Sequence, residues 1–123
     1  MSNKMTNRQL AALETKRKQL ETAKKIVGGS RRFDAVIFTE DLTAVYAMNA
    51  LQNMGYRIPE DVAVVGCNNS EYSRISNPPL TTINNKGELL SELSVQLLEN
   101  LMTGKSEKAS LIIRPELAVR QTT

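Results

Sequence analysis

The sequence predicts an α/β fold: a parallel, or mostly parallel, sheet with helices on both faces, stacked as three layers. Two observations carry that expectation. The apolar runs Ala35-Val36-Ile37-Phe38 and Val62-Ala63-Val64-Val65 are too short for helices and too continuous for half-exposed strands, so they read as buried parallel strands. Around them apolar residues recur at helical spacing, which gives the strand–helix alternation of a doubly wound sheet.

Each element follows from local residue chemistry. From about Thr6 to Val27 the chain lacks Gly and Pro and is rich in Leu, Ala, Lys, Glu and Gln, which predicts a helix. Leu13, Leu20 and Val27 recur at seven-residue spacing with Leu10 nearby, but Arg17 and Lys24 share that face, so its apolar stripe is weak. Gly28-Gly29-Ser30 is expected to stop this helix through a left-handed glycine. After the first apolar run, Thr39-Glu40-Asp41 starts a second helix, with Thr39 or Asp41 able to accept from the free donors of its first turn. Ala44, Val45, Met48 and Leu51 form one face of that helix, which ends near Gly55.

Ile58-Pro59-Glu60-Asp61 reads as a turn before the second apolar run, and Gly66-Cys67-Asn68-Asn69 closes that run. The polar stretch onward to Asn77 is expected to be a long loop. Pro78-Pro79 then leads into a short strand, Leu80-Thr81-Thr82-Ile83, at an edge or opening position. A further helix runs from about Lys86 to Met102, with Leu90, Leu93, Leu97 and Leu101 expected to form a core stripe, and Gly104 ends it. Leu111-Ile112-Ile113 and Leu117-Ala118-Val119 offer a final extended segment interrupted at Pro115.

Composition bounds the chemistry. A chain of 123 residues fits one compact domain. With three Tyr, two Phe and no Trp, the core must come from aliphatic residues, and aromatic stacking on bases or sugars is thin. Cys67 is the only thiol, so no internal disulfide or cysteine-based zinc site can form; it reads as an ordinary buried small residue. The absence of histidine removes Ser-His and Cys-His nucleophiles and most transition-metal sites, so no enzyme, cofactor or metal is expected. Without a long apolar run or a signal peptide, a soluble cytoplasmic chain is expected, with no membrane contact.

Charge divides the chain. Residues 1–32 carry nine Lys or Arg against Glu14 and Glu21, whereas residues 33–123 carry seven against eleven acids. This separates a basic helical leader, residues 1–30, from a body, residues 31–123. The leader's cations suit nucleic-acid phosphate, but the plainer reading, a solvated helix face, is preferred.

In open parallel sheets ligands collect outside the carboxyl ends of the strands. That geometry singles out the loops at Thr39 to Asp41, Cys67 to Asn69 and Ile83 to Asn85. Glu40 and Asp41 read better as acids at a helix start than as a catalytic or metal-binding pair, because adjacent helical side chains diverge. Asn68 and Asn69 divide evenly between contact with a polyhydroxylated ligand and turn chemistry.

The stretch FDAVIFTEDLTAVYAMNALQNMGYRIPEDVAVVGCNN, residues 33–69, strongly resembles the LacI/GalR family of bacterial repressors. Pro78-Pro79-Leu80-Thr81-Thr82-Ile83 and Arg114-Pro115-Glu116-Leu117 through Arg120 extend the resemblance in the same order. It implies a cytoplasmic, usually dimeric transcription regulator, in which a small sugar or nucleobase binds between two lobes shaped like periplasmic binding proteins. The matched residues fall within one truncated lobe, the second, so DNA would be reached only through a domain missing from this chain. By the same resemblance, Glu40, Asn68 and Asn85 fall at or near ligand-binding positions, with Asp41 and Asn69 beside them. Glu-Asp stands where the family often has Asn-Asp, and Cys-Asn-Asn where it has an aromatic followed by acids.

The leader from Asn7 through Lys25 is also similar to the first helix of TetR-type repressors; the preferred alignment makes Leu20 to Val27 a replacement for a LacI-type helix. The reading that results is a regulator fragment that senses a small molecule and self-associates as a homo-oligomer. The alternatives are an interaction or dimerisation module that modulates a full-length repressor, and a nucleic-acid-binding protein acting through the leader.

Overall fold

The structure is a computed structural model that describes residues 5–29, 33–105 and 110–123. Helix α1, Asn7–Val27, opens with a reciprocal cap: the Thr6 hydroxyl oxygen accepts from the Gln9 backbone N–H at 3.3 Å, and Gln9 Oε1 accepts from the Thr6 N–H at 2.8 Å. At its end Gly28 has φ −101°, outside the left-handed region, and its N–H reaches Lys24 O at 2.7 Å. A Cβ at Gly28 would lie 2.6 Å from that same oxygen, so glycine is required there by close approach. Ser30, and with it the boundary between residues 30 and 31, lies outside the described residues.

Four strands follow: β1 Ala35–Ile37, β2 Ala63–Cys67, β3 Thr81–Asn84 and β4 Glu116–Ala118. They form one sheet in the order β1-β2-β3-β4; the first two pairings are parallel and the last is antiparallel. The register pairs Val36 with Val64, Gly66 with Thr82, and Ile83 with Leu117. The expected mostly parallel α/β sheet is therefore present. Helix α2, Asp41–Asn53, connects β1 to β2, and helix α4, Gly87–Met102, follows β3. The stretch expected as a continuous loop contains a five-residue helix, α3 Glu71–Ile75, with Ser70 at its N-cap position and Glu71 in its first turn.

Alternation decides which strand residues meet α2. In β2 the fully buried Val64 faces the core, while Ala63 and Val65, on the opposite face, are half-buried. Ala44, Met48 and Leu51 of α2 close over Val62, Val64 and Leu80, and α1 adds Ala23 and Ile26 to the same cluster. Thr122, fully buried, bridges the starts of β2 and β3. Its hydroxyl donates to Val64 O at 2.6 Å and accepts from Thr81 N–H at 2.8 Å, while its carbonyl accepts from Val64 N–H. The predicted turn before β2 is closed by Asp61, whose carboxylate accepts from Arg57 N, Nε and Nη2. That hydrogen-bonded charge pair raises the Arg57 pKa.

Three further expectations are corrected. β1 is an edge strand rather than a fully buried one; Val36 alone in it turns toward the core, and Ile37 is 70% exposed. The leucines of α4 have helical spacing but are not core: no residue of α4 is buried, Leu90 and Leu101 are exposed, and Leu93 and Leu97 are half-buried beside Leu111. Neither Thr39 nor Asp41 caps α2; Glu40 occupies the N-cap position without a side-chain cap bond.

Candidate functional site

Because β1, β2 and β3 run the same way, the loops after Ile37, Cys67 and Asn84 emerge at one end of the sheet. Two ladder bonds extend to that end: Phe38 N–H donates to Val65 O and Asn68 N–H to Ile83 O, each at 2.8 Å. The expected common rim is therefore in place.

Asp41 lies beneath the rim and not on it. It is 1% exposed, and its carboxylate accepts from Ser70 N–H at 2.7 Å, Ser70 Oγ at 2.8 Å and Thr82 Oγ1 at 2.5 Å. An acid at the first position of α2 also gains from that helix's positive end. Gly66 makes room for it, since a Cβ there would collide with Asp41 Oδ1 and the Leu80 side chain. The carboxylate thus ties together α2, the loop after β2, and β3. Of the sequence-singled acids, only Glu40 is exposed; its Oε2 accepts from Thr43 Oγ1 at 3.2 Å.

The two asparagines after β2 divide their work. Both adopt positive φ, 95° at Asn68 and 49° at Asn69, a conformation that asparagine tolerates better than most residues. Asn69 points its amide oxygen inward to Arg120 Nη2 at 2.6 Å, and its N–H donates to Thr82 Oγ1. Asn68 stays exposed, and its Oδ1 accepts from Asn85 Nδ2 at 2.9 Å. Asn85 Nδ2 also reaches Cys67 Sγ at 3.3 Å, and Cys67 is half-buried rather than buried. Among the described residues, Asn68 Nδ2 and Asn85 Oδ1 have no protein partner, so the pair presents one donor group and one acceptor group to solvent.

Beside this pair lies an open cleft of about 520 Å³, lined by Asn68, Asn69, Asn84, Arg74, Lys86 and the first turn of α4. Glu40 and Asn85 are at the same end of the sheet but do not line the cleft; Asn85 adjoins it through its bond to Asn68. Sequence reasoning missed Arg74, Asn84 and Lys86. Lys86 is held by its left-handed backbone, φ 54°, with its N–H donated to Asn84 Oδ1 and its ammonium paired with Glu116 on β4. Asn-Asn-Lys-Gly is a tract rich in turn formers, and that was the available signal. Among the described residues no cluster of three or more acids or cysteines is placed to hold a metal ion.

Comparison with known proteins agrees with this architecture. A profile of the periplasmic binding protein-like domain matches residues 3–123. The HTH-type transcriptional repressor PurR of Pasteurella multocida is 35% identical over 103 residues, which is 83% of this chain and 31% of that protein. The HTH-type transcriptional regulator CelR of Thermobifida fusca is 37% identical over 90 residues, 72% of this chain and 26% of the relative. The chain thus spans under a third of the length of these relatives. Among solved structures, the lac repressor bound to ONPG in its repressed state superposes with a TM-score of 0.78 at 30% identity, covering 88% of this chain and 33% of that one. The CelR–cellobiose complex superposes at 0.73 and 29% identity, with the same coverage.

Proposed function

Because this chain belongs to the periplasmic binding protein-like domain family and is related to LacI/GalR-type transcription regulators, we propose that it is an effector-sensing lobe that binds a sugar or nucleobase at its sheet rim and self-associates. The observation that carries the reading is the Asn68–Asn85 amide pair, 2.9 Å apart on the parallel tips of β2 and β3 beside the cleft. Asn68 Nδ2 donates to a ligand hydroxyl oxygen or ring nitrogen, and Asn85 Oδ1 accepts from a hydroxyl or N–H. Glu40, at the same end of the sheet, contacts a larger ligand; Asp41 and Asn69 act indirectly, by fixing the loops. In such a regulator the ligand shifts a population of lobe arrangements, and any operator contact falls to a segment outside these residues. Since its relatives regulate bacterial transcription, its place of action is the cytoplasm.

A rim contacting its ligand from one side binds weakly, with a Kd of about 1 mM or about −4 kcal/mol. NMR titration with cellobiose, glucose, adenine and guanine tests the reading. Shifts confined to residues 67–69 and 84–88, lost in Asn68→Ala and Asn85→Ala, are expected. No shift with any of the four at about 10 mM would sink it.

A second reading, an interaction module that docks on another regulator subunit, is favoured by α4. Val95, Leu98 and Met102 are 60%, 56% and 79% exposed on one side of that helix, and exposed apolar clusters usually meet a partner. Sedimentation of this chain with a full-length LacI-type regulator separates the two readings: a co-migrating species that Leu98→Asp abolishes supports docking.

A further inference from the structure

We infer that α1 is a pairing helix, through which two copies of this chain associate in parallel along a seam formed by Leu10, Leu13 and Leu20. It buries residues only near its end: Ala23 and Ile26 are buried, whereas every residue from Asn7 to Lys18 is exposed, with Thr15, Lys16 and Lys18 bordering open crevices against α2. Leu10, Leu13 and Leu20 are 48%, 51% and 41% exposed.

Their spacing is that of a two-stranded coiled coil. Positions 10, 13, 17, 20, 24 and 27 advance in alternating steps of three and four, the a and d positions of a heptad. Leu13, Leu20 and Val27 take the d positions. Leu10 takes the first a, and Arg17 and Lys24 take the next two, where their long stems lie along the seam and their charges lead outward. Basic residues at a weaken the association and specify its oligomer state, which we read as two strands. Ala23 falls at g and Ile26 at c, so α2 packs beside the seam: Val27 is half-buried against the core, Lys16 and Leu20 border an open crevice with Asn49, Ala50, Asn53 and Met54, and the seam is uncovered at Leu10 and Leu13.

Charge selects the occupant and its direction. The flanking g positions hold Gln9 and Lys16, and the e positions hold Glu14 and Glu21. In a parallel pair each g residue faces the e residue of the following heptad, so Lys16 meets Glu21 of the second copy and Gln9 meets Glu14. In an antiparallel pair g meets g and e meets e, which sets Lys16 against Lys16 and acid against acid. Within one copy, Lys16 forms no ion pair among the described residues, and Glu21 has only an exposed 3.7 Å contact with Arg17. The same glutamates flanking the leucines repel phosphate, which favours a second protein helix over nucleic acid on this face.

Single cysteines in a Cys67→Ser background test the pairing under mild oxidation, with circular dichroism checking that each variant folds. Leu13→Cys and Leu20→Cys should each give a covalent dimer alone, at about fivefold or more the yield of Ala11→Cys on the outer face. Adding Lys16→Glu to Leu13→Cys should cut that yield by a similar factor. Association through α4 brings no two copies of residue 13 together, so it cannot imitate this result. In an antiparallel pair a faces d, so cross-linking only when a Leu10→Cys variant is mixed with the Leu20→Cys variant would show an antiparallel pair and overturn the inference. Equal yields at residues 11 and 13, or retention on DNA at low salt without any cross-link, would overturn it as well.

Discussion

Helices α2 and α4 are alike on paper and unlike in place. α2 spans 13 residues and α4 spans 16, and both are rich in apolar side chains. Yet α2 buries Asp41, Ala44, Ala47, Met48 and Leu51, while α4 buries nothing. The leucines of α4 follow helical spacing at least as regularly as the apolar residues of α2. The difference lies in the neighbours: α2 has β2 below and α1 beside it, whereas α4 leaves the sheet after Asn84 and, among the described residues, only its Leu93 and Leu97 are half-buried beside Leu111 on its leucine stripe. Periodicity tells which face of a helix is apolar; what covers that face depends on residues far away in the chain.

The contrast can be broken or sharpened by substitution. Leu51→Ala, at a fully buried position, should destabilise the fold by about 3 kcal/mol, read as a lowered urea midpoint. If it costs no more than a substitution on α4, the assigned core is wrong. Asp41→Ala removes the acceptor for Ser70 and Thr82 and should cost about 2 kcal/mol, with hydrogen exchange accelerated in residues 68–73 before it quickens elsewhere. Leu98→Gln, on the open side of α4, should change stability by less than about 0.5 kcal/mol while lowering binding of a hydrophobic dye. A larger loss there would mean that α4 is covered in solution.

The same contrast separates what could be read in advance from what could not. Strands β1 and β2 were announced by apolar runs and helices α1, α2 and α4 by composition and spacing, because these are local properties. The edge position of β1 was not announced, since a strand buried on one face or on both can carry the same short run. The loops that hold Glu40, Asn68 and Asn85 were singled out because parallel strands must gather their carboxyl ends, as the parallel register does, and the three residues within them by the resemblance to the LacI/GalR family. Asp41 and Asn69 were singled out with them, and the structure gives them structural partners. The inward turn of Asp41 depends on Gly66 and Thr82, 25 and 41 residues away, and no window along the chain contains all three. Thr122 escaped for the same reason: a polar residue near the end of the sequence gives no sign that it fastens two strand starts.

Arg120, just beyond β4, has a mechanical consequence. Its guanidinium grips Leu80 O at 2.7 Å, Ser73 Oγ at 3.2 Å and Asn69 Oδ1 at 2.6 Å, while its backbone N–H is held by Thr81 Oγ1. One side chain therefore spans three segments like a tie rod, anchored at the far strand and ending at the loop after β2. Losing that one side chain would free Ser73, Leu80 O and Asn69 at once, so the loop at the mouth of the cleft takes part of its support from the opposite border of the sheet.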